Sequence, residues 1–382
     1  MMMNKKIMKM AVMPFMILAA SSLMQSCIEE EFPTEYATGE QMQTAKNPGK
    51  ILLNGLNAKM VEQFSYNGAQ VAYDWGYPSQ MLIRDILGGD EPVSNVTNDY
   101  LAWIADGTSL NVFSLYTYSY YYDLVSNANN MVEKFGSDDS DQKAYAGAAR
   151  AYRALAYLDM TRMFEYKTTG FSSLDAQAEK SKVAGLTVPI VTEKTTAKES
   201  KNNPRAPFYP MYRFILNDLK LAESEMKGFE RANKTQPDES VVYGLEARLW
   251  LEMATRFEKN PEDLATQLAH EEDADGYAKL GVTTADECYA KAAEYAQKAM
   301  ALDGYAPLSS DEWHNEKTGF NLATGAWMWS ASMQDKDMLT YYWYSWLCWM
   351  GSEAPNLTWG GMGTYRCIDK SLYEKMPDAD WR

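Results

Sequence analysis

The sequence predicts a mostly α-helical chain of helical hairpins stacked one on another, with long loop-rich insertions and an irregular, tryptophan-rich C-terminal region. Three observations carry that expectation. Apolar residues recur every three or four positions over several long stretches, two of these stretches echo one another, and after residue 303 the periodicity gives way to Gly, Trp and Tyr.

The first helix is predicted over 50–64. Over 116–134, Tyr116, Tyr120, Leu124, Ala128 and Met131, followed by Phe135, share one face, and Gly136 ends the run. Asp138 to Asp141 offer N-cap chemistry for the next helix, which carries Tyr145, Ala148, Tyr152, Leu155, Leu158 and Phe164. A second pair follows Pro210, over 211–226 and 239–257, and a third stretch runs from Ala285 to Leu302 and stops at Gly304. The echo lies between Ala154-Leu155-Ala156-Tyr157-Leu158-Asp159-Met160 with Phe164 and Ala247-Arg248-Leu249-Trp250-Leu251-Glu252-Met253 with Phe257. Small residues let helices approach while aromatics fill the gap, as in tetratricopeptide-type arrays. The intervals here are longer than the roughly 34 residues of such repeats, so insertions must leave the stack. Residues 165–209 read as one, with Gly185 to Val191 as an extended segment.

The N-terminus has its own logic. Lys5, Lys6 and Lys9 precede an apolar run from Ala11 to Leu23, then Ser26 and Cys27. That is the layout of a secretion signal, and the run is shorter than the roughly 20 residues that span a membrane. The Ser26-Cys27 junction resembles a lipobox, with Cys27 lipidated as the first mature residue and anchored by its acyl chains. Glu29 to Glu31 do not favour an anionic leaflet, and an acidic stretch so placed resembles the export mark of lipoproteins on the outer face. The expected organisation is a signal peptide over 1–26, an acidic tether over 27–45 and a helical-repeat domain over 46–382.

Three lysines and no acid fall within the signal, so the mature chain moves from a net charge of −16 to −19. That field opposes nucleic acid and anionic surfaces but not neutral ligands such as sugars. Beyond Cys27 the cysteines are Cys288, Cys348 and Cys367, without metal-type spacing. Cys288 falls in a helical pattern as a small buried residue, and Cys348 and Cys367 are open to a single disulfide. His270 and His314, the only histidines, lie far apart. Glu271-Glu272-Asp273 and Asp138-Asp139 are adjacent acids of the solvated or capping kind, since neighbours in sequence do not face one another on a helix. No phosphate loop or nucleophile elbow is present, and the sequence points to no catalytic residue, metal or cofactor.

Aromatics are the better candidates. Sugars present apolar C–H faces, on which a flat ring with a polar edge stacks. Trp250, Trp327 and Trp329 read as core. Trp75 and Tyr77 flank Gly76 in a loop setting, Trp103 precedes the first repeat helix, and Trp343, Trp346 and Trp359 crowd the C-terminal region.

Read in order, several segments resemble the SusD/RagB family of outer-membrane nutrient-binding lipoproteins. Ala128-Asn129-Asn130-Met131-Val132 is similar to a motif on the family's first repeat helix. The run from Ala148 to Phe164, with Arg150 and Arg153 as partners for nearby carboxylates, is similar to its most diagnostic segment. Leu186-Thr187-Val188-Pro189-Ile190, Tyr212 to Leu219 and Tyr295 to Tyr305 resemble later ones. The resemblance runs from Cys27 to the end, but family members usually continue past the segment that Asp380-Trp381-Arg382 resembles, so a C-terminal portion is expected to be missing. It implies a lipid-anchored protein of the outer membrane, facing the exterior, that binds a glycan and delivers it to a SusC-like TonB-dependent transporter without cleaving it. By resemblance the ligand platform comprises Trp75, Tyr77, Trp103, Trp343, Trp346 and Trp359. The rival readings are a surface-anchored glycoside hydrolase and a helical-repeat interaction scaffold.

Overall fold

The computed structural model describes residues 45–62, 75–90, 112–137, 141–317, 325–332 and 367–381. The chain divides after Pro48 into two compact units, and the helical body lies in the second, from Gly49 on. The described residues are mostly α-helical. The helices are α1 (Pro48–Lys59), α2 (Gly76–Gly88), α3 (Val112–Phe135), α4 (Lys143–Phe164), α5 (Ser172–Ser181), α6 (Ala197–Ser200), α7 (Phe208–Glu225), α8 (Glu239–Lys259), α9 (Pro261–Ala269), α10 (Ala285–Asp303), α11 (Ser310–Trp313) and α12 (Lys370–Tyr373). None of them is long and apolar enough to cross a membrane.

Helix α4 is the axis of the packing. Every residue from Ala146 to Thr161 is buried, the pattern of a helix covered on all sides. α3 lies against α4, α4 against α7 and also α8, α7 against α8, and α8 against α10. Small residues make this possible. A Cβ on Gly147 would come within 2.5 Å of Met226 Cγ and 3.0 Å of Glu225 Cβ, so α4 and the end of α7 touch almost at backbone level. Tyr157 fills the space beyond, edge-on to Phe214 of α7 at 5.2 Å and to Tyr122 of α3 at 6.4 Å.

A helix buried all round must satisfy its polar residues internally. Arg153, 2% exposed, forks onto Asp218 of α7 with Nε to Oδ2 and Nη2 to Oδ1 both at 2.7 Å, and its Nη1 donates to Asn129 Oδ1 of α3 at 2.6 Å and to Glu193 at 2.7 Å. Arg150 reaches Glu225 at 3.0 Å and Asp218 at 3.5 Å. Both arginines thus take the carboxylate partners expected of them.

Helix ends follow local chemistry. Thr284 and Glu287 form a capping box at the start of α10, and Gly304, at φ 63°, ends it where the sequence places the stop. Asp238 Oδ1 caps α8 by accepting from Val241 N–H at 3.2 Å. α4 begins at Lys143 behind Gln142, which makes no side-chain cap, rather than on an aspartate cap. Asp138 and Asp139 lie outside the described residues. α1 stops at Lys59 rather than 64, because Met60 and Val61 N–H turn back to the carbonyls of Asn57 and Ala58.

The insertion between α4 and α7 is partly helical. α5 escapes the periodicity argument because its polar sequence buries Ala178 alone. The extended segment is present: Thr187 N–H donates to Ala206 O at 2.7 Å, and Ala206 N–H to Val188 O at 3.2 Å. It crosses the outside of α3 and α4, where Tyr122 Oη donates to Pro189 O at 2.6 Å and Asn129 Nδ2 to Val191 O at 3.2 Å.

Candidate functional site

Three segments meet beyond the last helices to enclose a cleft of about 600 Å³, walled by Trp313, Trp327, Trp381, Leu308 and Pro377, with Asp380 as a polar wall group. Each segment is fixed locally. Ser309 and Glu312 form a capping box that sets the one-turn α11 and projects Trp313 from its end. Hydrogen bonding from Ser309 holds the Glu312 carboxyl below its ordinary range. The second segment is strapped to the loop between α7 and α8. Lys234 Nζ donates to Trp327 O at 2.6 Å, Arg231 Nη1 to Met328 O at 2.6 Å, Trp329 Nε1 to Thr235 O at 3.1 Å, and Ser330 N–H to Lys234 O at 2.9 Å. In the third, Asp369 N–H donates to Asp90 O at 3.0 Å, and Asp369 caps α12.

The rings are set for a flat ligand. Trp313 and Trp381 stand edge to face with centroids 6.2 Å apart and planes at 79°, and His314 lies 5.9 Å from Trp381. Trp381 keeps 44% of its surface in solvent. Trp313 and Trp327 are half-buried. Partly exposed indoles lining a mostly apolar cleft with one carboxylate suit a ligand with an apolar face and hydroxyl edges.

The expected site residues fare differently. Trp75 is a correction: it is only 3% exposed, so its indole has no face to offer a sugar. The cause is the turn after it. Gly76 sits at φ 59°, a Cβ there would come within 2.5 Å of Met60 O, and Tyr77 N–H donates to that carbonyl at 2.8 Å, clamping this segment onto the end of α1. Tyr77 is half-buried and its hydroxyl is engaged by Asp159. Trp103, Trp343, Trp346, Trp359 and the acylation candidate Cys27 lie outside the described residues. Of the three tryptophans read as core, Trp250 is 2% exposed, Trp329 packs edge-on against Tyr152 at 4.9 Å, and Trp327 turns out to wall the cleft. Trp313 and Trp381 had no periodic context that could single them out; the excess of Trp after residue 303 was the available signal.

Tyr77 belongs to a second polar centre. Asp159 of α4 is fully buried, and its Oδ2 accepts from the hydroxyls of Tyr77 and Tyr121 at 3.1 Å each. Its Oδ1 meets Arg84 Nη1 of α2 at 3.1 Å and Arg248 Nη2 of α8 at 3.2 Å. Burial, and after it the Asp159 charge, raises both phenols above their ordinary range, so they remain protonated donors.

The two histidines sit at the surface. His270 stacks on Tyr209 at 3.9 Å and shares a 2.8 Å hydrogen bond with Asp273, while His314 is exposed. Glu271 accepts from Leu280 N–H at 2.7 Å, which ties the loop before α10 back to the end of α9. Cys288 is buried, its thiol pushed up to about 11 by desolvation, and Cys367 is an exposed free thiol. Among the described residues no three His, Cys, Asp or Glu side chains group as a metal ligand set.

No family model and no curated protein matches the chain. Solved structures do. A SusD-like carbohydrate binding protein from Bacteroides vulgatus aligns at 19% identity over 74% of this chain and 49% of its own, with a TM-score of 0.51. The fold is SusD-like. A putative sugar binding protein from the same organism aligns at 21% identity over 86% of this chain and 61% of its own, with a TM-score of 0.47. A SusD superfamily protein from Bacteroides thetaiotaomicron aligns at 17% identity over 70% and 49%, with a TM-score of 0.42. The chain therefore spans about half to three fifths of the length of these structures.

Proposed function

We propose that this chain is a glycan-binding protein that captures its ligand in the Trp313–Trp327–Trp381 cleft and hands it on without breaking a bond. The single observation that carries the reading is the cleft: three indoles on three separately anchored segments, one ring 44% exposed, in a chain whose net charge of −16 disfavours nucleic acid. The SusD-like fold supports the same class, since the Bacteroides vulgatus structure that shares it is described as carbohydrate binding.

The finer reading extends the sequence. Cys27 is acylated after removal of residues 1–26, residues 27–45 are a tether, and the protein faces the exterior from the outer membrane. The successive α3–α4 and α7–α8 pairs act as tetratricopeptide-type hairpins, forming a rigid body that presents the cleft. The partner is a SusC-like TonB-dependent transporter, to which a reversible binder must release its ligand. Affinities of about 1 µM to 1 mM, or roughly −8 to −4 kcal/mol, suit that task.

The test is calorimetric titration of the full chain in detergent with a panel of neutral oligosaccharides, followed by chromatography of the recovered sugars. Reversible binding with intact sugars is the expected result. New reducing ends would establish the hydrolase instead, and absence of binding across the panel would remove the glycan reading.

A further inference from the structure

The ion-pair clusters built on buried carboxylates share a sign, with one exception. Arg150 and Arg153 face three carboxylates, Asp218, Glu193 and Glu225. Arg256 faces Glu165 and Asp263, Arg231 faces Asp238 and Asp303, and Lys220 faces Glu223 and Glu246. Each holds one more negative than positive charge. At Asp159 the balance is reversed: two guanidiniums, Arg84 and Arg248, meet one carboxylate, and its other donors, Tyr77 and Tyr121, are neutral phenols. Among the described residues no second carboxylate comes within ion-pair distance of either arginine; Asp85, next to Arg84 in sequence, acts on it through charge alone.

This surplus cation is open to solvent. Asp159 is sealed, but the Arg84 side chain is 20% and the Arg248 side chain 41% exposed. Both bind Oδ1 of the same carboxylate through one Nη each, so the two guanidiniums converge on one oxygen, and the second Nη of Arg84 rests on the weak thioether acceptor of Met81. Each guanidinium is tied to Asp159 through one Nη, which lowers the rotamer freedom left to lose on binding. Exposed apolar side chains occur on both helices. Met81 of α2, whose Sδ contacts Arg84 Nη2, is 42% exposed, and Leu251 of α8, one turn beyond Arg248, is 49% exposed.

We infer that Arg84 and Arg248 form a binding site for the carboxylate of an acidic sugar, separate from the tryptophan cleft. Paired guanidiniums match a carboxylate by charge and by fork geometry. A uronic acid adds a C–H face for Met81 and Leu251, which a bare inorganic anion does not. The inference rests on the glycan-binding reading for the class of ligand and adds that the glycan carries charge.

The experiment titrates the full chain in detergent, at low salt, with tetramers of galacturonate, mannuronate and guluronate, each beside its neutral counterpart and inorganic phosphate. At least one uronate tetramer is expected to bind more tightly than its neutral counterpart and than phosphate. Arg248→Gln is expected to weaken it about tenfold or more, as befits loss of a charge-assisted hydrogen bond. Arg248→Lys, which keeps the charge without the fork, is expected to fall between. Unchanged melting temperatures establish that the variants are folded. Neutral-glycan binding should survive Arg248→Gln and weaken in Trp381→Ala, so failure at one site is distinguishable from failure at the other. The inference is overturned if no uronate binds, if phosphate binds as tightly as the uronates, or if Arg248→Gln leaves uronate affinity unchanged.

Discussion

Glu246 is fully buried in α8, held on one side by Lys220 Nζ at 2.9 Å and by Trp250 Nε1 at 3.1 Å, while Oε2 has no hydrogen-bond partner. The pair is asymmetric, because the Lys220 side chain keeps 39% of its surface in solvent and that of Glu246 keeps none. Desolvation therefore outweighs the lysine and raises the Glu246 carboxyl above its ordinary 4.5. A carboxyl raised in the native state binds its proton more tightly there than in the unfolded chain. Its contribution to stability is thus fully present below 4.5 and is lost as pH rises through the native value. Glu246→Gln removes that dependence, so its stability relative to the parent should improve between pH 4.5 and pH 7. Urea unfolding of both proteins at the two pH values measures this; a relative stability of the variant that is unchanged, or that worsens as pH rises, would refute the assignment. Arg153 and Asp218 are the opposite case, a buried pair whose fork satisfies both charges. Sequence reasoning reached Arg153 as a carboxylate's partner but could not name Asp218, 65 positions away. Nor could it find Glu246, whose position in the echo region looks like any polar helix residue.

At the scale of elements, α4 and α7 are locked by the absence of a side chain. Gly147 lies 2.5 Å, measured from an added Cβ, from Met226 Cγ. Gly147→Val should force that contact apart, costing about 1–3 kcal/mol by overpacking, offset only slightly by the better helix propensity of Val over Gly. Guanidinium unfolding measures the loss, and a variant as stable as the parent would show that the two helices do not meet this closely. The long helices were legible because each buries a stripe with a helical period: α3, α4, α7, α8 and α10 lie within a few residues of their predicted bounds. α5 was not, because it is polar and exposed and buries only Ala178. Trp75 misled for a related reason. A Trp-Gly-Tyr turn is open or closed according to what it rests on, and here it rests on the carbonyl of Met60, a long-range contact that leaves no periodic trace.

For the whole molecule, the fold and the site were legible to different depths. Helix content follows from short-range periodicity, and the SusD-like resemblance of the segment from Ala148 to Phe164 agrees with the fold found at 19% identity. The cleft joins residues from 307, 327 and 381, brought together by irregular segments tied down through Arg231, Lys234 and Asp369, and no local pattern encodes such a meeting. The abundance of C-terminal tryptophans singled out the part of the chain that supplies the cleft's indoles, while which of them line it depended on tertiary structure. The decisive measurement is titration of the full chain and its Trp313→Ala/Trp381→Ala double variant with whichever neutral oligosaccharide the parent binds. One stacked ring contributes about 1–2 kcal/mol, so removing both should weaken binding roughly 30-fold or more while the melting temperature and helical signal hold. A folded double variant that binds the oligosaccharide as tightly as the parent would contradict the assignment of this cleft as the glycan site.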